Sequence, residues 1–327
     1  MSIIGIDVSK AKLDTLWIRD LEAMKVKSKA QPNTPKGHQA LVDWAIMQTG
    51  DDIGELHFVM EATGVYHESL AYMLHEAGAR VSVINPARIK EYGKSLGVQS
   101  KNDKKDSVVI ARFGMTQSPA LWEPEPLEIR QLKALIARCD AVKQDIQREV
   151  NRLEKAVVSD ASADVRESIE TVHAQLEAEK ERLESLIDDH LDNHPDLKND
   201  RELLESIPGV GPVMARQMVA VIRSRSFVRA SQCAAFLGLV PIENQSGTSV
   251  YSPPRLSKRG DARVRGKLYM AAIVATRHNP DIRHQYERLL KNGKAKMSAI
   301  GAAMRKLVQI CFGVLKHQRP YQPQLAC

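Results

Sequence analysis

The chain has 327 residues, more than one ordinary core accommodates, so two or three domains are expected. Its 43% hydrophobic and 27% charged residues are the proportions of a globular protein. Its longest apolar runs stop short of the roughly 20 residues a membrane span needs, and four scattered cysteines (Cys139, Cys233, Cys311, Cys327) show neither CxxC nor Cys/His ligand spacing, arguing against a membrane protein, a disulfide scaffold or a zinc site.

In chain order, "SIIGID" (2–7) reads as a short buried strand, followed by alternating strands at "LDTLWIRD" (13–20) and "MKVKSKA" (24–30). "NTPKGHQALVDWAIMQ" opens with a helix-start signal and continues at helical period. "LHFVME" (56–61) predicts a strand, "VYHESLAYMLHEAG" (65–78) a helix closed by glycine, and "RVSVIN" (80–85) a last strand, after which Pro86 starts another helix. The order β-β-β-α-β-α-β-α gives a mixed sheet flanked by helices.

Residues 127–158 predict one long helix, in which Leu132, Leu135, Cys139, Val142 and Ile146 step by three and four and Val150, Leu153 and Val157 continue the stripe. A second heptad-like run spans about 163–191. The pair suits either an antiparallel hairpin or an intermolecular coiled coil. Beyond His194-Pro195, "LLESIPGVGPVMARQMVAVI" sets a Pro-Gly-Val-Gly turn between two helical segments, the pattern of a helix-hairpin-helix. A short helix at "SFVRASQCAAFLGLVP" runs into residues 242–262, which read as loop, and two more helices close the chain. The expected domains are 1–158, 159–195 and 196–327.

Charge divides unevenly between these parts. Residues 1–200 hold 26 Lys+Arg against 34 Asp+Glu, whereas residues 201–327 hold 21 against 6. A basic half attached to an acidic one points to a polyanion partner, most simply nucleic acid. Gly209 and Gly211 of the turn would expose helix-start amides to a phosphate, and Arg255, Lys258, Arg259, Arg263, Arg265 and Lys267 form a dense basic stretch suited to phosphate contact.

Four carboxylates are candidates for chemistry. Asp7 and Glu61 each end an apolar strand, where a charge is costly without a partner. If strands one and four are neighbours, the two acids emerge side by side and repel unless a cation lies between them. Mg²⁺ is the natural ion for such hard oxygen ligands. Asp103 and Asp106 in "KNDKKD" share one helical face and would point at the same ions. Taken separately, Asp7 suits a solvated strand end, and Asp103 and Asp106 suit ordinary helix-start acids. Together the four suit two-metal phosphoryl transfer. Ser246, in the 242–262 loop, has no local base to activate it.

The motifs "IGIDVSKAKLD", "MEATGVY", "VSVINPARIK", "KNDKKDSVVIARF", "LLESIPGVG", "AAFLGLVP" and "SGTSV" occur in an order and spacing that resembles the DEDD transposases and invertases typified by the Piv invertase. Insertion-sequence members of that family include RNA-guided (bridge RNA or seekRNA) recombinases. The resemblance covers nearly the whole chain. It implies an RNase H-like, RuvC-like N-terminal domain with an Asp-Glu-Asp-Asp quartet at Asp7, Glu61, Asp103 and Asp106, then a coiled-coil segment, then a mainly helical transposase domain with an essential serine at Ser246. It further implies Mg²⁺ (with Mn²⁺ as a substitute), donor and target DNA, a guide RNA, a dimer or tetramer, and a bacterial cytoplasmic setting. In the implied mechanism Ser246 attacks a scissile phosphate and a 3′ hydroxyl leaves, with quartet and serine meeting in one composite site.

This chain departs from the family's usual pattern at Asn102 and Ser107, which flank the last two acids, and in the longer "VYSPPRLSKRG" after the serine. The alternative function is a RuvC-like, Mg²⁺-dependent structure-specific endonuclease with water as nucleophile. A non-catalytic nucleic-acid scaffold would leave the strand-end acids unexplained.

Overall fold

The computed structural model describes residues 1–97, 103–246 and 250–324; within these, 103–105, 243–246 and 250–254 are described by backbone path alone. The chain divides into two compact units, Met1–Pro124 and Glu125–Cys327.

The first unit is a five-stranded mixed sheet. Its strands are β1 (Ile3–Val8), β2 (Lys12–Asp20), β3 (Lys25–Pro32), β4 (His57–Glu61) and β5 (Arg80–Ile84), in spatial order β3-β2-β1-β4-β5. The first three form an antiparallel meander, and β4 joins β1 in parallel. Edge strand β3 is almost wholly exposed and places Lys25, Lys27 and Lys29 along it, charges that discourage edge-to-edge pairing.

Helices cover both faces because the strands alternate. Ile4, Ile6 and Val8 of β1, with Phe58 and Met60 of β4, pack under α1 (Pro35–Thr49) and α2 (Glu68–Glu76). Ile3 and Val59 face the other way, toward α3 (Pro86–Ser95) and α4 (Asp103–Gln117). Helix α1 starts where Thr34 accepts from the Gly37 amide ahead of Pro35, and ends at Gly50 with φ 75°, as the sequence pattern predicts.

Three histidines of this unit, His38, His57 and His67, have their pKa lowered, in each case chiefly by burial. Ser82 Oγ donates to Ala120 O (2.8 Å) and lies 2.8 Å from His57 Nε2, which suits a neutral imidazole donating to the serine. A lowered folded-state pKa means the unfolded chain takes up protons first. The stability these residues contribute is therefore present above the unfolded value near pH 6.5 and is lost as pH falls through it. The expected result is a melting temperature that drops between pH 7.5 and 5.5, with a shallower drop in His57→Gln; identical pH profiles by calorimetry would contradict this.

The second unit is mainly helical. Helices α5 (Leu127–Val158) and α6 (Ala163–Asp192) run antiparallel, with His190 Nε2 2.8 Å from Glu128 O near one end and Lys143 paired to Glu184 at 2.7 Å further along. The expected helix spans are reproduced, and packing groups α5 with the second unit, which begins at Glu125. The reason is the α5 stripe: Ile129, Leu132, Ile136, Cys139 and Val142 are buried in one core with Leu183 and Ile187 of α6. That core continues through α7 (Pro195–Glu205), α8 (Pro212–Ile222), α9 (Ala230–Phe236), α10 (Ala262–His278) and α12 (Lys296–His317). Helix α12 is long and apolar enough by composition to cross a membrane, which the reading of the apolar runs did not anticipate; 56% of its apolar window is buried here. Cys139, Cys233 and Cys311 are free and buried, and burial pushes the Cys233 thiol up to about 12.

One charge lies at the heart of this unit. Asp200 is fully buried and holds Arg223 through two hydrogen bonds, at 2.5 and 2.8 Å, with Gln318 Nε2 adding a third at 2.9 Å. Asp200→Ala removes three hydrogen bonds to a buried carboxylate but leaves Arg223, whose side chain is 42% exposed, open to water, so the expected cost in chemical denaturation is about 2 kcal/mol. No measurable loss would mean that these bonds only offset the cost of burying the carboxylate.

The segment expected to be loop contains a hairpin, β6 (Pro241–Ser246) and β7 (Val250–Leu256), paired antiparallel from Pro241–Leu256 to Ser246–Val250. Pro253 and Pro254 and the polar run of β6 hide the strand pattern, since proline donates nothing to a ladder and is tolerated only at edges. A two-stranded ribbon has only edges. Helix α11 (Pro280–Lys291), capped by Asn279, was also not anticipated.

Candidate functional site

The carboxylates are brought together by register. Strands β1 and β4 pair from Ile3–His57 to Ile6–Met60, so Asp7 and Glu61 stand one step beyond the last pair, on neighbouring parallel strands. Strand alternation puts Asp7 on the face of Ile3 and Gly5, and Glu61 on the face of Val59. Both belong to the side covered by α4.

Helix α4 lies on that face at unusually short range. A Cβ built on Gly5 would stand 2.5 Å from the Ala111 amide nitrogen and 2.7 Å from the Ser107 carbonyl oxygen. One built on Gly114 would stand 2.8 Å from side-chain atoms of Ile3 and Val59. The helix therefore descends antiparallel to β1, with residues 107–111 over Gly5 and Gly114 over Ile3. From Gly5 to Asp7 the strand advances about 7 Å, which equals roughly four to five helical residues. Stepping that far back from 107–111 reaches the first turn of α4, which carries Asp103 and Asp106. Two strand ends and one helix start thus meet on one face.

The sequence reading missed a fifth carboxylate there. Asp14 of β2 is the register partner of Asp7, so the two share a face, and its Oδ2 is 2.9 Å from Lys12 Nζ. Both residues sit within the quoted "IGIDVSKAKLD", but only the β1–β2 register shows that they share a face.

Two strand-end carboxylates beside a helix-start acid form an all-oxygen donor set, which suits a hard divalent ion. The Asp103 side chain lies outside the described residues. Among the described residues, no group of three or more His, Cys, Asp or Glu is spaced to hold a metal.

Ser246 is carried on the last rung of the β6–β7 hairpin, five residues from the base pair Pro241–Leu256, or roughly 17 Å along the ribbon. The base is tightly built. A Cβ on Gly238 would fall 2.0 Å from the Arg259 carbonyl oxygen and one on Gly260 2.3 Å from that of Phe236, and both glycines have positive φ. The two backbone segments cross where only glycine fits. Arg265 Nη1 lies 3.0 Å from the carbonyl oxygens of both Arg259 and Gly260, stapling the crossing.

The remaining candidates separate by what they already touch. Arg265 is committed to that staple, and Lys267 donates to Asp140 (2.6 Å) and Gln217 (2.8 Å) inside the unit. Both side chains are therefore partly engaged within the unit. Arg255, Lys258, Arg259 and Arg263 are exposed. In the 206–211 turn, Gly209 has φ 98° and abuts the backbone of Ala275, so packing against α10 accounts for it. Gly211 caps α8 and borders open space.

Comparison with known proteins matches residues 4–159 to the transposase family model DEDD_Tnp_IS110 and residues 201–287 to "Transposase IS116/IS110/IS902 family". A pilin gene-inverting protein of Moraxella bovis is 30% identical over 327 residues, covering 98% of both chains. The transposase for insertion sequence element IS1111A of Coxiella burnetii is 25% identical, covering 81% of this chain and 79% of its own. A solved structure of T. thermophilus RuvC with a Holliday junction substrate overlaps 37% of this chain and all of that one, at 12% identity and a TM-score of 0.26, and adds nothing to what the strand order gives.

Proposed function

The chain belongs to the IS116/IS110/IS902 transposase family, a family of DNA-recombining enzymes, and from that premise we propose a strand-exchange reaction in which Ser246 is the nucleophile and Asp7, Glu61, Asp103 and Asp106 form the metal-binding quartet. The observation that supports it best is the shared face of Asp7 and Glu61 under the first turn of α4. A bound Mg²⁺, or Mn²⁺ in its place, would supply positive charge to polarise the scissile phosphate. Ser246 Oγ then forms a bond to phosphorus as the bond from phosphorus to the 3′ oxygen breaks; the serine proton passes to solvent and the leaving oxygen takes one up as a 3′ hydroxyl. The DNA 5′ phosphate is left esterified to the protein, and reversal onto a second 3′ end completes exchange.

The placement of Ser246 on the last rung of the β6–β7 hairpin supports a site completed on assembly, in a dimer or tetramer. The outer part of the α5–α6 hairpin favours that too, since Val150, Val157, Val158, Val165 and Val172 are 40–82% exposed. Donor and target DNA are the substrates in this reading, and a structured guide RNA of the bridge RNA or seekRNA kind selects them. The excess of 21 Lys+Arg over 6 Asp+Glu in residues 201–327 supports such polyanion partners. Trapping the serine–DNA ester on a denaturing gel, with Mg²⁺ present and then chelated, tests the reading. Metal-dependent cleavage with no adduct would instead favour hydrolysis by water.

A further inference from the structure

Helices α11 and α12 enclose a groove that no part of the proposed reaction uses. Its volume is about 550 Å³, and an adjoining hollow of about 300 Å³ shares Asp281, Lys306, Gln309 and Gln324 with it. Half of the groove's lining, and all of the hollow's except Asp281, lies beyond the matched transposase segment, which ends at residue 287.

The walls are cationic and built at helical spacing. Asp281, His284, Gln285 and Arg288 repeat along one face of α11, and Lys306, Gln309, Gly313 and His317 along one face of α12. Residues 280–320 hold nine Lys+Arg against two Asp+Glu. The carboxylate in the groove, Asp281, is already occupied, accepting from Tyr321 Oη at 2.7 Å and from the Gln324 amide at 3.2 Å. Neither Arg288 nor Lys306 has a carboxylate within ion-pair distance among the described residues. Burial and the bond to Asp281 raise the Tyr321 pKa, which keeps that hydroxyl a donor.

One further feature suits a ligand. Gly313, in the body of α12, would place a Cβ within 4 Å of nothing, so no neighbour requires glycine there, although alanine would favour the helix. Its effect is a bare floor that a backbone could approach closely.

We propose that the α11–α12 groove grips the phosphodiester backbone of a nucleic acid, with Arg288 and Lys306 on phosphates and no base readout. This rests on the transposase reading above, which supplies nucleic acid as the partner. It adds a contact surface apart from the basic stretch at 255–263.

The test uses the full chain with labelled 40-base-pair duplexes of random sequence, one DNA and one RNA, and a single strand of each. Arg288→Gln combined with Lys306→Gln should weaken binding about tenfold and flatten the slope of log K against log salt by about 2, with an unchanged melting temperature. Gly313→Leu should weaken binding similarly without altering charge, since the side chain fills the floor. Loss on DNA alone, on RNA alone or on both identifies the source and supports the groove. Wild-type affinity and slope in either variant on all four probes would overturn it. A wild-type protein with no steep salt dependence would instead overturn the underlying reading.

Discussion

Ser246→Ala is expected to abolish both strand exchange and the covalent protein–DNA adduct while leaving the affinity for DNA within about twofold of wild type. The hydroxyl is the bond-forming atom in the proposed reaction, so losing it removes the pathway and does not merely slow it; a fall of at least 10³-fold is the expectation for a lost nucleophile. The serine sits on the outermost rung of a ribbon whose base is fixed by Gly238, Gly260 and Arg265, so the substitution leaves the fold of the unit intact. Gel-shift affinity and adduct yield, measured on the same preparation, separate the two effects. Normal exchange by the alanine variant would leave the carboxylates acting on water and end the serine mechanism.

The second large effect is expected at a residue with no side chain. In Gly5→Ala the new methyl meets the backbone of α4, at the Ala111 nitrogen and the Ser107 oxygen, and neither can rotate away. The helix must lift from the strand. Overpacking of this kind costs about 1–3 kcal/mol. The cost to activity should be larger, because the same helix carries Asp103 and Asp106 over Asp7, and an error of about 1 Å in such a constellation can cost 10²-fold. Gly93→Ala is the control: its methyl, on α3, meets only Val109 of α4, at an ordinary contact distance of 3.6 Å. Assayed well below both melting temperatures, Gly5→Ala should lose at least 100-fold in adduct formation and Gly93→Ala less than tenfold. Equal activities would mean that α4 does not aim the acids.

The sheet could be read because each strand states its own pattern: alternation in β2, apolar runs in β1 and β4, a glycine closing the stretch after α2. Asp7 and Glu61 stood out as charges ending apolar strands. Asp14 did not, because an acid in an alternating strand looks solvated until its neighbour is known, and register is a property of two strands. The same limit hid the commitments of Lys267 and Arg265, whose partners lie 127 residues away at Asp140 for the one and in a backbone crossing for the other. The β6–β7 hairpin was hidden for a different reason, namely the prolines of β7 and the polar run of β6, which break the alternating pattern.

That ribbon has a mechanical consequence. An arm of about 17 Å pivoting at its root turns a rotation of about 10° into a displacement of about 3 Å at the tip. The tolerance on where the serine arrives is therefore set at the root, by two glycines and an arginine that never meet DNA in this scheme. Substitutions there should behave as errors of aim: DNA bound, fold retained, and the nucleophile delivered beside its phosphate.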